Sequence, residues 1–309
     1  MNDRLKSSRA GWLPKWLAPR GLSRPSIGIV TDSASCLPPQ FRDRAGFAEV
    51  NIPIIVDNHV HGKDTSALMM GLAMGKSVKT SRPAPGEFAR VYQQLFAEGC
   101  QQVLSIHMSG ALSGTVEAAR LAAAQFSNKV MVLDSHTVAL PLGFTIADVL
   151  DARDAGAPQA MLEQIVRMAT ANSVYFAVPS LEQLRRGGRI SALSSVLGGL
   201  LNVKPILTIG QGAITALEKP RSFARAQARL VSLALDDART VQGPVRLGVM
   251  HFGALELASE IATELTPFSN QPVVIESLPA VLAAHTGMGV LAVAVAPLDP
   301  QPEKGSASA

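Results

Sequence analysis

The stretch from Gln102 to Thr115, QVLSIHMSGALSGT, most constrains what this chain can fold into. VLSIHM is apolar and β-branched enough to form a buried strand, after which small and hydroxylated residues break the run. VEAARLAAAQF follows, and its alanines and leucine favour a helix. Ser109, Gly110, Ser113, Gly114 and Thr115 therefore fall where a strand hands over to a helix N-terminus. In a parallel α/β sheet ligands bind beyond the carboxyl ends of the strands, and a helix start favours an anion such as a carboxylate or phosphate. The same residues serve equally well as a plain cap and turn, so this stretch alone leaves both readings open.

The rest of the chain repeats the pattern. SIGIVTDSASCLPP reads as a strand from Ile27 to Thr31 that places Asp32 and Ser33 at the sheet's carboxyl edge, followed by a short helix around Gln40. VNIPIIVDNHVHG reads as strand, turn and strand, and KTSRPAPGEFARVYQQLFAEG as a loop ending in a helix. KVMVLDSHTVALPLGF supplies a further strand ending in Asp134 and Ser135, so the β-α-β-α-β order predicts a parallel sheet. After an alanine-rich helix from about Pro158 to Asn172 the grammar changes. SLEQLRRGGRISALSSVLGGLLNVKPILTIGQGAITALEKPRS reads as helix, glycine turn, helix and a hairpin around Gln211 and Gly212. PVRLGVMHFG is a later strand, Glu256 to Leu265 a helix, and VVIESLPAVLAAHTGMGVLAVAVAP two apolar runs around a polar break. The expected fold class is α/β in two domains, an N-terminal parallel-sheet α/β/α domain over 26–169 and a second α+β domain over 170–298, with a disordered tail over 299–309.

Composition narrows the function classes. With 47% hydrophobic and 17% charged residues the chain is expected to be globular, and no apolar run reaches the roughly 18 residues of a membrane span. The N-terminus lacks the continuous apolar core of a secretory signal, so a cytoplasmic location is expected. Cys36 and Cys100 form neither a CxxC pair nor a zinc spacing and are expected to be buried thiols. The net charge of +4 is concentrated in residues 1–25, which carry +5 and leave −1 for the body, so no general nucleic-acid surface is expected. That basic extension also holds both tryptophans, in GWLPKWLAPRG. It is expected to be disordered, with weak peripheral membrane contact through Trp12, Leu13, Trp16 and Leu17 as the functional alternative.

Three site signatures are incomplete. His59 and His61 imitate a metal pair without a third ligand nearby, and no metal is expected. Gly287, Gly289 and Ala292 imitate a dinucleotide fingerprint but lack the following βαβ unit with its acidic residue. Ser113, His285 and Asp134 are the raw material of a serine hydrolase or esterase, without a GxSxG elbow around the serine; this is the alternative function.

Taken together, KTSRPAP, SGALSGT, LRRGGRI, LEKPRS and AHTGMG are polar breaks flanked by apolar runs. With VTDSASCLPP, they resemble in order the motifs of the DegV family of bacterial fatty-acid-binding proteins, from about Ile27 to Pro297. The resemblance implies a binder rather than an enzyme, with no cofactor. One long-chain fatty acid lies between two α/β domains, and in some members the acid is presented to a separate fatty acid kinase for acyl-phosphate formation. By motif, it implies that Thr80, Ser113, Gly114, His285 and Thr286 surround the carboxylate, and that Arg189 and Arg221 serve the kinase partner or the phosphorylated head. Arg82, Pro220 and Met288 depart from the family's usual residues, the first adding charge near the head group.

Overall fold

The computed structural model describes residues 25–61, 65–189 and 203–298. The tryptophan-bearing extension, the helix expected after Gly188 and the tail from Asp299 lie outside the described residues.

The continuous apolar runs become a parallel sheet. Strands β1 (Ile27–Asp32), β2 (Phe47–Val50), β6 (Gln102–His107) and β7 (Val130–Asp134) lie in the order β2-β1-β6-β7, every pair parallel. All six residues of β1 are buried, as a strand with helices on both faces requires. Helices α2 (Pro85–Ala97) and α3 (Thr115–Ala123) cover one face, packing Phe88, Tyr92, Leu95, Ala119 and Ala122 on Val30 and Val103. Helix α4 (Ala139–Asp154) covers the other, with Leu140, Ile146 and Leu150 in one cluster with Ile29, Leu104 and Ile106.

A smaller antiparallel sheet, in the order β4-β3-β5, is formed by β3 (Ile54–Val56), β4 (His59–His61) and β5 (Val78–Thr80). Helix α1 (Thr65–Ala73) packs on it through Leu68 and Gly71, the latter against Val56. The strand β5 replaces the start of the loop expected from Lys79, and the helix α1 falls in a stretch to which the sequence reading gave no element.

The second sheet has six strands in the order β10-β9-β8-β13-β11-β12. They are β8 (Ser173–Ala177), β9 (Ile206–Gly210), β10 (Ala213–Glu218), β11 (Val245–His251), β12 (Val274–Ser277) and β13 (Leu291–Pro297), antiparallel throughout except for the β11–β12 pair. Gln211 and Gly212 form the two-residue β9–β10 turn, both with positive φ. Helix α5 (Gln159–Arg167) leads into this sheet, and α6 (Glu182–Arg186) follows β8. Helix α7 (Phe223–Thr240), capped by Ser222 accepting from Arg225 N–H, and α8 (Leu255–Leu265) cover its outer face. Helix α9 (Ala280–Thr286) joins β12 to β13 and also touches β5 and α1.

Alternation along β13 explains how the two sheets meet. Leu291, Val293 and Val295 point into the cluster beneath α7 and α8, whereas Ala292, Ala294 and Ala296 belong to the cluster around α4. The small residues make room for a helix: a β-carbon on Gly248, paired with Ala294 across β11–β13, would stand 2.2 Å from Leu140 Cδ2. Helix α4 is thus shared by both sheets, with 13 of its 16 residues buried. Arg246 of β11 fastens it with a bidentate pair to Asp148, its guanidinium 4.4 Å from the Phe144 ring centre.

Candidate functional site

Between the two sheets lies an apolar cavity. Ile52, Met108, Leu112, Val138 and Ala139 line it from the first half of the chain; Val174, Phe176, Ile214, Leu278, Val281, Leu282 and Ala292 line it from the second. This apolar wall has a periodic origin. Val174 and Phe176 are alternate residues of β8, Ala292 is one of the inward alanines of β13, and Val281, Leu282 and His285 recur at helical spacing along α9. The sequence reading named none of the apolar residues as ligand contacts, although those periods mark which of them share a face.

Five polar side chains interrupt the wall: Thr80, Ser113, Arg189, His285 and Thr286. Contacts of Thr80, His285 and Arg189 run from one domain to the other. Thr80 Oγ1, at the end of β5, lies 2.7 Å from His285 Nε2 at the end of α9. The other ring nitrogen, Nδ1, rests against Gly187, where a β-carbon would stand 2.2 Å away, so only glycine there lets the ring reach Thr80. Two residues on, Arg189 donates from Nη1 to Gly187 O at 2.6 Å and from Nε to Leu112 O at 3.3 Å, crossing to the loop after β6. Ser113 follows, its hydroxyl 2.8 Å from Thr115 Oγ1.

This geometry fixes what the groups can donate. His285 Nδ1 is buried without a hydrogen-bond partner. Placing the proton on Nε2 avoids a buried orphan donor and makes Thr80 Oγ1 the acceptor, which leaves the threonine's own proton to point into the cavity. Likewise, if the buried Thr115 hydroxyl donates to Ser113, Ser113 can donate to a ligand. The His285 imidazole is pushed down to about 4, first by its burial and then by the Arg189 cation. An unfolded histidine, near 6.5, therefore takes up a proton before the folded one does as pH falls. Stability present above about pH 6.5 is lost towards pH 4. Between pH 7 and 4.5 the ligand-free protein is expected to lose up to about 2 kcal/mol more than its His285→Asn variant in urea denaturation. Equal losses would contradict this account of the ring.

Outside the polar end a second recess opens, lined by Gly110 to Gly114, Gly188, Arg189, Ala213 and Ile214. It shares Leu112, Ser113, Arg189 and Ile214 with the cavity. Gly114, the N-cap of α3, lies in this recess, and the exposed Arg82 lays its side chain over it, with Cδ 3.3 Å from the place of a Gly114 β-carbon. The two arginines paired in the sequence reading are separated: Arg189 lines both spaces, whereas Arg221 is exposed beside the N-cap of α7 and lines neither.

The hydrolase alternative does not assemble. His285 is engaged by Thr80, Ser113 by Thr115, and Asp134 accepts the backbone N–H groups of Gly110 and His136. Gly287 and Gly289 connect a helix to a strand, the reverse of a dinucleotide loop. Among the described residues no group of three or more metal-ligating side chains meets at His59 and His61 or elsewhere, and no helix is long and apolar enough to cross a membrane.

Comparison with known proteins bears on the whole of this body. The family model described as the DegV family matches residues 26–298. DegV domain-containing proteins from Deinococcus radiodurans and Streptomyces coelicolor are 36% and 34% identical over 283 and 276 residues, covering 88% and 87% of this chain and 99% and 98% of theirs. A structure described as fatty acid binding of a DegV family protein from Thermus thermophilus superposes with a TM-score of 0.81 at 30% identity, covering 88% of this chain and all of that one. DegV of Bacillus subtilis, described as a fatty acid binding protein, gives 0.79 at 28%, covering 88% of this chain and 99% of that one. The family model and the relatives span nearly the whole of the described body, and the chain belongs to the DegV family.

Proposed function

We propose that this protein is a cytoplasmic, non-catalytic carrier that holds one long-chain fatty acid between its domains and presents the carboxylate to a separate fatty acid kinase. The observation that carries the reading is the cavity itself, apolar along its walls and polar where Thr80, Ser113, His285 and Arg189 meet. Each buried methylene contributes about 0.8 kcal/mol, so roughly a dozen offer about 10 kcal/mol before the costs of association. A desolvated carboxylate then requires donors, which the two hydroxyls and the guanidinium supply. The recess beyond Ser113 supports the handover, because it leads from outside to the polar end of the cavity. Arg221, exposed beside α7, is assigned to the kinase surface.

The test is uptake of acid by delipidated protein. Saturable binding of about one long-chain acid per chain is expected, and no uptake of any acid between about twelve and twenty carbons would end the carrier reading. Thr80→Val and Ser113→Ala each remove one donor to a charged group, so each is expected to weaken binding roughly ten- to a hundred-fold. Arg221→Ala is expected to leave affinity unchanged while slowing phosphoryl transfer by the kinase.

A further inference from the structure

Behind the cavity wall, a chain of side-chain hydrogen bonds runs through the first sheet. Tyr92 Oη lies 2.8 Å from Ser105 Oγ, Ser105 Oγ 2.7 Å from His107 Nε2, and His107 Nδ1 3.1 Å from Asp32 Oδ2. All four residues are fully buried. Serine, histidine and aspartate stand in the order of a nucleophile relay, but Ser105 sits within β6 with its hydroxyl against Tyr92, leaving no approach for a substrate. With Asp32 as terminal acceptor, one proton assignment satisfies every donor: Tyr92 donates to Ser105, Ser105 to His107 Nε2, and His107 Nδ1–H to the carboxylate.

Asp32 does more than receive this chain. Its Oδ2 also accepts Met108 N–H at 2.9 Å, and its Oδ1 accepts Ala34 N–H at 3.0 Å. From there the bonds close a ring. Ser135 donates its N–H and hydroxyl to His107 O, Ser109 N–H donates to Thr137 O, and Ala139 N–H donates to Ala34 O. The loops after β1, β6 and β7 are thereby fixed to one another. Met108 and Val138 on these loops, and Ala139 at the start of α4, line the cavity, and Ser109 O accepts the N–H groups of Leu112 and Ser113 at the head-group turn.

We propose that Asp32 and His107 are positioning residues for carboxylate recognition, holding the turn from Met108 to Gly114 where the Ser113 hydroxyl meets the head group; this rests on the fatty-acid reading above. They touch no ligand themselves. A purely structural network would, on disruption, weaken every ligand alike, whereas a positioning network acts on the head group and spares the alkyl chain.

The experiment compares a long-chain fatty acid with the fatty alcohol of the same length on delipidated wild type, Asp32→Asn and Ser105→Ala. Asp32→Asn presents an amide where two donors require an acceptor, and is expected to lower the acid-to-alcohol affinity ratio about tenfold. Ser105→Ala leaves His107 Nε2 without its donor and is expected to lower the ratio about threefold, with alcohol affinity in both variants within about twofold of wild type. A wild-type ratio in the folded variants, or equal losses of acid and alcohol, overturns the proposal. If Asp32→Asn does not fold, the milder Ser105→Ala decides by the same ratio. Failure of the wild type to take up acid strikes the carrier reading, and the proposal with it.

Discussion

Ala292→Phe is expected to lower fatty-acid affinity roughly a thousandfold while the protein stays folded. Ala292 is buried on the central strand β13 and faces the cavity, so the new ring has empty space to enter. Once there, it occupies the volume of about five methylenes, worth about 4 kcal/mol of apolar burial, or about three decades in Kd. The same substitution two residues along should behave oppositely. Ala294 lies on the same face but outside the cavity lining, opposite Gly248, whose own approach to Leu140 already excludes a β-carbon. Ala294→Phe is therefore expected to abolish folding rather than binding alone. Titration of both delipidated variants with acid, beside their thermal unfolding curves, distinguishes a filled cavity from a broken core. Near wild-type affinity in Ala292→Phe would place the acyl chain elsewhere.

The largest stability effect of adding one methyl group is expected at Gly143, in the shared helix α4. A β-carbon there would stand 2.5 Å from Ser35 O and 2.6 Å from Cys36 O. Both contacts are to backbone, which no rotamer change relieves, and Cys36 already holds a positive φ of 43°. Gly143→Ala should therefore destabilise the protein by about 3 kcal/mol, seen as a lower urea midpoint at unchanged slope. A loss under about 1 kcal/mol would show that the turn at Ser35 and Cys36 yields easily.

Why some of this was legible in the sequence and some was not follows from the signals themselves. The parallel sheet was readable because β1, β6 and β7 are short apolar runs that each end in a polar break, at Asp32, Ser109 and Asp134. The helix α4 was not, because ALPLGFTIADVL is apolar on all sides and leaves no amphipathic period to detect. The strand β5 has only three residues and draws its identity from pairing with β3, a tertiary fact. Among the site residues, Thr80, Ser113 and His285 were named by motif, but the direct Thr80–His285 bond joins positions 205 apart in the chain. Separating Arg189 from Arg221 required the fold, since both are arginines beside turns. His107 was overlooked as one polar residue in an apolar strand, although burying an imidazole demands partners, and asking which residues supplied them would have led to Asp32 and Ser105.

The position of α4 also governs how the molecule can come apart. Leu140, Leu142, Phe144, Ile146, Val149 and Leu150 are all buried in a cluster that draws on both sheets, so neither sheet possesses a core of its own on that side. Drawing the sheets away from each other would strip α4 from one of them and bare several of these side chains at roughly 2 kcal/mol each. That is on the order of the 5–15 kcal/mol that holds an entire protein folded. Separation and denaturation are then expected to coincide, and a cut between α4 and β8 is expected to release no half that keeps this shared core. A ligand is accordingly expected to enter and leave at the rim, where β5, α9 and the loop after β6 converge, while the walls stay joined.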